Sequence, residues 1–481
     1  MTGDQETRPA WSRALLKVTD ELGLASVWQS SRDVKLLCLQ RFVRLFAYGG
    51  STLILVSYLS ALNISEDRVG LFMTLTLAGD VVISFFLTLY ADKMGRKTVL
   101  ALGSALMASS GVIFALFSDY WILLAAAVFG VISPSGNEIG PFRAVEESTL
   151  AHLTPHEILS DIFAWYSLIG TAGTALGMIT SGWIINWLQA SKEWDFISAA
   201  RAIFYIYAII GGIKFILSLA LTSKVEAEKK NKKPQRPQTQ QQTPNETEPL
   251  LGEAADEAPA QPQRKMPFLA SLDKQLASLF VQLAVLFALD AFASGLAPLS
   301  WVTYFFKKKF DIPEGKLGSI FFTTSIISAA SMLVASSIAK RIGNVKTMAF
   351  THLPSAVCLA MIPIPSSLPL ALMFLILRSC TQSMDVAPRS AFLASVLPSD
   401  KRTAIMGAIN VVKTCAQSLG PFLTGILASV NLFWVSFVLA GSLKAIYDVG
   451  ILISFAEHEM KRRKSLQQRT ETERDGEGDA A

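Results

Sequence analysis

The sequence predicts an all-α membrane protein of twelve transmembrane helices arranged as two pseudo-symmetric six-helix halves. Three observations carry this: an apolar composition, twelve apolar runs of bilayer length, and a match between the first half of the chain and the second. Of 481 residues, 51% are hydrophobic and only 17% charged, which is far from the balance of a soluble domain of this size. A bilayer core about 30 Å thick takes about 20 helical residues to cross. Runs of that order lie at 36–60, 68–90, 98–117, 120–152, 160–189, 200–222, 275–305, 316–339, 346–365, 368–396, 403–429 and 432–455, here called spans 1 to 12. Spans 4 and 10 are the least apolar.

Residues 1–35 form a polar N-terminal tail of mixed charge with no cleavable leader, so span 1 stays as an anchor. Within the tail, WSRALLKVTDELGLASVW has the pattern of a helix lying on the membrane surface. Residues 36–222 make the first six-helix half. Residues 223–270, rich in Gln, Pro, Glu and Lys and nearly free of aromatics, read as a disordered linker. Residues 271–457 make the second half and 458–481 a C-terminal tail. Most of the 43 lysines and arginines fall in the tails and the even-numbered loops, which places both ends and the linker in the cytosol. FFKKKF at 305–310 is the main exception, read as a snorkelling helix end or an anion-attracting outer patch. The sequon at Asn63 then lies outside and that at Asn245 inside. ETEPLL at 246–251 fits an acidic dileucine pattern; the plasma membrane is the expected location, with the vacuolar membrane as the alternative.

The halves align with little drift. At an offset of 246 residues Phe46, Ala47 and Gly49 meet Phe292, Ala293 and Gly295; at 248 Gly70, Ala91 and Gly95 meet Gly318, Ala339 and Gly343. At 243 Ala144, Leu150, Ala151, Pro155, Gly177 and Gly182 meet Ala387, Leu393, Ala394, Pro398, Gly420 and Gly425. An ordered set of this kind is the mark of an internal duplication.

Between spans 2 and 3 stands ADKMGRKTVL, residues 91–100. Here the chain resembles the major facilitator superfamily, in its twelve-helix, fungal-like form with no substrate assigned. The family's hallmark in that loop is Gly-x-Leu-Ala-Asp-Arg-x-Gly-Arg-Lys; Asp92, Gly95, Arg96 and Lys97 match it, while Thr88 and Tyr90 replace the leading glycine and the leucine. The second-half counterpart, AKRIGNVKT, keeps Gly343 but has Lys340 at the aspartate position. Physically, Gly95 permits a tight turn, Asp92 suits a helix N-terminus or a basic partner, and Arg96 and Lys97 suit anionic lipid. The resemblance implies alternating access: two halves rock about a central site lined by spans 1, 4, 7 and 10, and this loop acts in gating.

Charges inside the spans are the candidate site, because charge facing lipid is expensive and charge facing a cavity is not. In span 4, Arg143 precedes Glu146 and Glu147 by three and four residues and can pair on its own face, as a cytosolic gate or a solvated helix end. Glu138 lies deeper, among Pro134, Gly136, Gly140 and Pro141, which loosen the helix. In span 10, Arg378, Asp385 and Arg389 are spaced by seven and four, a single stripe on a continuous helix. Arg44 is the repeat mate of Asp290, so the two are expected to face each other across the cavity; Arg41 shares the face of Arg44 or snorkels. Lys413 reads as lateral or gating, Lys444 and Asp448 as an i,i+4 structural pair, and Asp80 and Lys214 fit either role. The expected lining set is Arg41, Arg44, Glu138, Asp290, Arg378, Asp385 and Arg389, four cations to three acids, which favours anionic or zwitterionic cargo.

No phosphate-binding loop appears, so ATP drive has no support. A carboxylate in low dielectric is a proton carrier by its physics, with Glu138 first and Asp290 and Asp385 next. Cys38, Cys358, Cys380 and Cys415 are scattered and read as packing residues; His152, His156, His352 and His458 form no ligand pattern. No metal, cofactor, nucleic acid or enzymatic constellation is expected. The partners are a small solute, protons and lipid, and a monomer is expected. The reading is a secondary active transporter of a small polar solute, coupled to protons. The alternatives are a proton-antiport efflux pump and a membrane sensor that keeps the fold. GTAGTALGMITSG in span 5 has Met178 where the family's antiporters carry proline, which weighs against drug export.

Overall fold

The computed structural model describes residues 24–130, 132, 141–155, 158–226, 274–398 and 402–478, all helix and connecting turn with no strand among them. The helices are, in order, Leu24–Gln29; span 1, Arg32–Ala61; span 2, Glu66–Met94; span 3, Arg96–Leu116; span 4 in two pieces, Tyr120–Gly130 and Pro141–Leu153; span 5, Leu159–Lys192; and span 6, Phe196–Leu219. The second half repeats the plan: span 7 as Lys274–Leu296 and Leu299–Phe310, span 8, Glu314–Ile342, span 9, Asn344–Met361, span 10 as Leu368–Thr381 and Val386–Val396, span 11, Arg402–Ser429, and span 12, Phe433–Gly478. Among the described residues, seven spans are long and apolar enough to cross a membrane, span 7 being counted across its break. Of the expected surface helix, only Leu24–Gln29 lies within the described residues.

Spans 7 and 10, expected to be continuous, are broken for local reasons. Pro298 has no N–H to give the preceding turn, and it starts a new helix whose first amides, on Trp301 and Val302, bond its carbonyl. In span 10 the chain turns over Gln382–Asp385 and restarts at Val386, with Pro388 in the first turn, where a missing N–H costs nothing. Span 12 runs on to Gly478, so the residues read as a C-terminal tail continue the helix. Glu138 and nearly all the linker lie outside the described residues.

The repeat seen in sequence is a repeat of close helix crossings. Gly49 lies against the carbonyl of Thr174, and its mate Gly295 against that of Gln417, so spans 1 and 5 cross as spans 7 and 11 do. A Cβ on Gly49 would come within 2.1 Å of that oxygen, and one on Gly295 within 2.2 Å. Gly211 sits on Ala108 and Gly441 on Ala356, pairing spans 3 and 6 as spans 9 and 12. The mates also meet across the molecule: Gly70 of span 2 touches Gly425 of span 11, and Gly318 of span 8 touches Gly182 of span 5. Small residues let backbones approach in lipid, where packing must replace the hydrophobic drive.

Twelve crossings put the start of span 1 and the end of span 12 on one face, called here the terminal face; hydrogen bonds that tie the halves together lie toward the opposite, far face. Tyr304 donates to Glu66 at 2.8 Å and lies 3.3 Å from Ser60; Trp183 donates to Ser319 at 3.0 Å. The lysines of FFKKKF lie at this face, Lys308 and Lys309 exposed, and each has a partner. Lys307 pairs with Glu314 and stands 3.7 Å over the Phe196 ring, Lys308 pairs with Glu66, and Lys309 donates to the carbonyls of Pro363 and Pro365 at 2.5 and 2.7 Å. At the terminal face Gly95 and its mate Gly343 adopt φ of 91° and 100°, the region that favours glycine, and each separates two spans. Glu226, just after span 6, accepts from the amides of Arg96 at 2.7 Å and Lys97 at 3.2 Å, so a carboxylate sits on the positive end of span 3. Lys97 donates to the carbonyl of Leu221 at 2.8 Å, so protein holds the group expected to reach lipid.

Candidate functional site

Each half buries one charge cluster, and the two occupy matching places. In the first half Glu146, fully buried on the second piece of span 4, accepts from Arg44 Nη2 of span 1 at 2.6 Å and from the Tyr166 hydroxyl of span 5 at 2.5 Å. Lys214 of span 6 comes within 3.4 Å of the other carboxylate oxygen. Arg41, also buried, lays its guanidinium over the Tyr166 ring at 4.7 Å, in the space that Gly170 leaves by having no side chain. Buried Asp80 of span 2 lies within electrostatic range of Arg44. Three cations therefore face two carboxylates. Isolated burial of such groups would cost several kcal/mol each, so the pairing is what permits them.

In the second half Asp290 of span 7 takes Lys444 Nζ of span 12 at 2.7 Å and Arg389 of span 10 at 3.2 Å. Lys444 also donates to Ser294 at 2.7 Å. Arg389 pairs with Asp385 one turn back and lies 5.8 Å over Tyr447. Lys413 of span 11 stands 5.5 Å over Phe287. Arg44 and Asp290 are repeat mates at 246, Glu146 and Arg389 at 243, and Lys214 and Lys444 at 230, the offset that also relates Gly211 to Gly441. The duplication thus kept one triad per half and exchanged the signs on two of its members.

This geometry corrects several expectations. Arg44 and Asp290 do not pair across the halves; each is engaged inside its own. Of the two carboxylates expected to pair with Arg143, Glu147 does so at 2.6 Å on the partly exposed side of the helix, while Glu146 is turned into the buried cluster. Arg41 does not snorkel. Lys444 and Asp448 do not form an i,i+4 pair: Asp448 accepts from His352 Nδ1 of span 9 at 2.9 and 3.0 Å. The break in span 10 divides the expected stripe, leaving Asp385 and Arg389 together and Arg378 on the other piece, near Cys358 of span 9. Cys38 is buried as packing requires, whereas Cys415 is exposed. The side chain of Asp92 and all of Glu138 fall outside the described residues. Sequence reading missed the roles of Tyr166, Lys214, Lys444, Glu66 and Glu226. For Lys214 and Lys444 the signal existed, as the shared offset with two glycines; for Glu66 and Glu226 no periodicity points to the partner.

Comparison with known proteins follows the same lines. The family model described as Major Facilitator Superfamily matches residues 37–299 and 283–475. An uncharacterised membrane protein of Saccharomyces cerevisiae, YJR124C, is 36% identical over 446 residues, 91% of this chain and 97% of that protein. Among solved structures, the nucleoside transporter NupG superposes with a TM-score of 0.62 at 14% identity, covering 88% of this chain and 99% of its own. A D-xylose–proton symporter does so with 0.62 at 14% identity, covering 87% and 96%. At such identity these two structures speak for the fold.

Proposed function

The chain belongs to the Major Facilitator Superfamily, and from that premise we propose that it is a proton-coupled secondary transporter that moves a small anionic or zwitterionic solute by alternating access. The observation that carries the charge preference is the cluster around Glu146, where Arg41, Arg44 and Lys214 face Glu146 and Asp80. A desolvated cluster with one positive charge in surplus attracts an anion, or the anionic end of a zwitterion, and repels a cation. Proton coupling rests on the buried carboxylates and on the family; one fold neighbour is a D-xylose–proton symporter by name. The closed far face fits a carrier whose site opens toward the terminal face. The lysine and arginine bias sets that face in the cytosol, with the linker dividing the halves and the plasma membrane as the location.

The test has two stages. Metabolite levels inside and outside cells with and without the protein nominate the cargo. Its flux is then measured in proteoliposomes with an imposed pH gradient. Accumulation of an anion or zwitterion that collapses when the gradient is dissipated supports the reading. A cationic cargo, or accumulation indifferent to the gradient, rejects it.

A further inference from the structure

Away from the two triads, His352 of span 9 and Asp448 of span 12 form a pair in which both members are buried. His352 is 4% exposed and Asp448 1%, and both carboxylate oxygens accept from one ring nitrogen. The central carboxylates of the second half are tied to fixed cations: Asp290 to Lys444 and Arg389, Asp385 to Arg389. Protonating either would strand a buried cation without its counter-charge. Asp448 has no lysine or arginine within ion-pair distance among the described residues. Its partner is an imidazole, the side chain whose charge ordinarily changes between about pH 5 and 8.

We propose that the coupling proton is carried by the His352–Asp448 pair and is read out at Asp290 through Lys444. This rests on the proton-coupled reading above. The proton adds to the lone pair on Nε2 while Nδ1–H stays on Asp448, so the pair passes from one net negative charge to none. Lys444 lies one turn before Asp448 on span 12 and holds Asp290 of span 7. With the pair negative, Lys444 is drawn toward two carboxylates; with the pair neutral, Asp290 alone holds it. The proton thereby changes the grip of span 12 on a cavity helix without occupying the cavity.

Among the described residues, the charged and titratable groups on the elements around the pair are these. Span 12 presents Lys444 and Tyr447, the latter edge-on to the imidazole at 6.2 Å, and span 7 presents Asp290. The second piece of span 10 presents Arg389 and Asp385, and its first piece Arg378 and Cys380, on the side of Cys358. The charged residues of span 8, Glu314, Lys316, Lys340 and Arg341, lie at its two ends.

The test needs no substrate. Spin labels at Asn63 and Asp311, exposed residues in far-face loops of opposite halves, report the closed-to-open ratio in nanodiscs by pulsed electron resonance in full-length protein without its four cysteines. Lowering the pH from about 8 to about 5 is expected to change that ratio about tenfold, the effect of a one-unit difference in proton affinity between the two states. His352→Gln and Asp448→Asn should each abolish the change, and exposed His152→Gln should keep it; either folded variant suffices. A change that survives in either folded variant overturns the inference alone. An unresponsive wild type removes the inference together with the proton-coupled reading.

Discussion

Removing Glu146 and removing Arg44 should differ in cost, and the difference follows from the partner lists. Opposite unit charges about 4 Å apart attract by about 4 kcal/mol at an effective dielectric of 20, before desolvation is subtracted. Arg44→Gln leaves Glu146 with Lys214 at 3.4 Å and the Tyr166 hydroxyl at 2.5 Å, so the expected loss is that of one charge-assisted hydrogen bond, about 1.5–3 kcal/mol. Glu146→Gln instead leaves Arg44 and Lys214 buried together without the carboxylate, and the expected loss is about 3–5 kcal/mol. The pair Arg44→Gln with Glu146→Gln should then be less damaging than the sum by about 1.5–3 kcal/mol, whereas Arg44→Gln with Asp290→Asn should add within about 0.5 kcal/mol. Unfolding by sodium dodecyl sulfate, followed through the nine tryptophans, gives all the required differences. Coupling between Arg44 and Asp290 as large as that between Arg44 and Glu146 would refute the separate triads.

Gly425→Ala would place a methyl 2.5 Å from the carbonyl of Glu66 and 2.7 Å from Cα of Gly70, so the halves must part by roughly 1 Å. The far face should open at a cost of about 1–3 kcal/mol to the closed state, read by the Asn63–Asp311 distance, while Gly407→Ala, with nothing within 4 Å, should leave that distance unchanged. Glu66→Gln should open the same face more than Lys308→Ala, because Glu66 accepts from both Tyr304 and Lys308 and the half-exposed lysine alone is worth about 0.2–1 kcal/mol; equal effects on that distance would contradict this. Leu250→Ala with Leu251→Ala should redistribute a fluorescent fusion between vacuolar and plasma membranes, and an unchanged distribution would retire the sorting pattern.

The sequence by itself determined the number and order of the spans, the duplication and the family, because each is written in local composition or in residues a fixed distance apart. Apolar length specifies a span whatever packs against it. A glycine matched to a glycine, as Gly95 to Gly343, marks a backbone requirement that both copies share. The breaks in spans 7 and 10 were less legible: Pro298 is visible, but nothing in TQSMD announces that the helix restarts at Val386 rather than running through.

Only the tertiary structure decided which charges meet. Arg44, Glu146 and Lys214 are separated by more than a hundred positions from first to last, and helix rotation determines which of them turn inward. Repeat logic gave the right positions and the wrong pairing. It placed Arg44 opposite Asp290, when the duplication had preserved a contact inside each half and reversed its polarity. The physical reason is that a buried charge needs a counter-charge within a few ångströms. In this fold the residues at that distance are supplied by neighbouring spans of the same half.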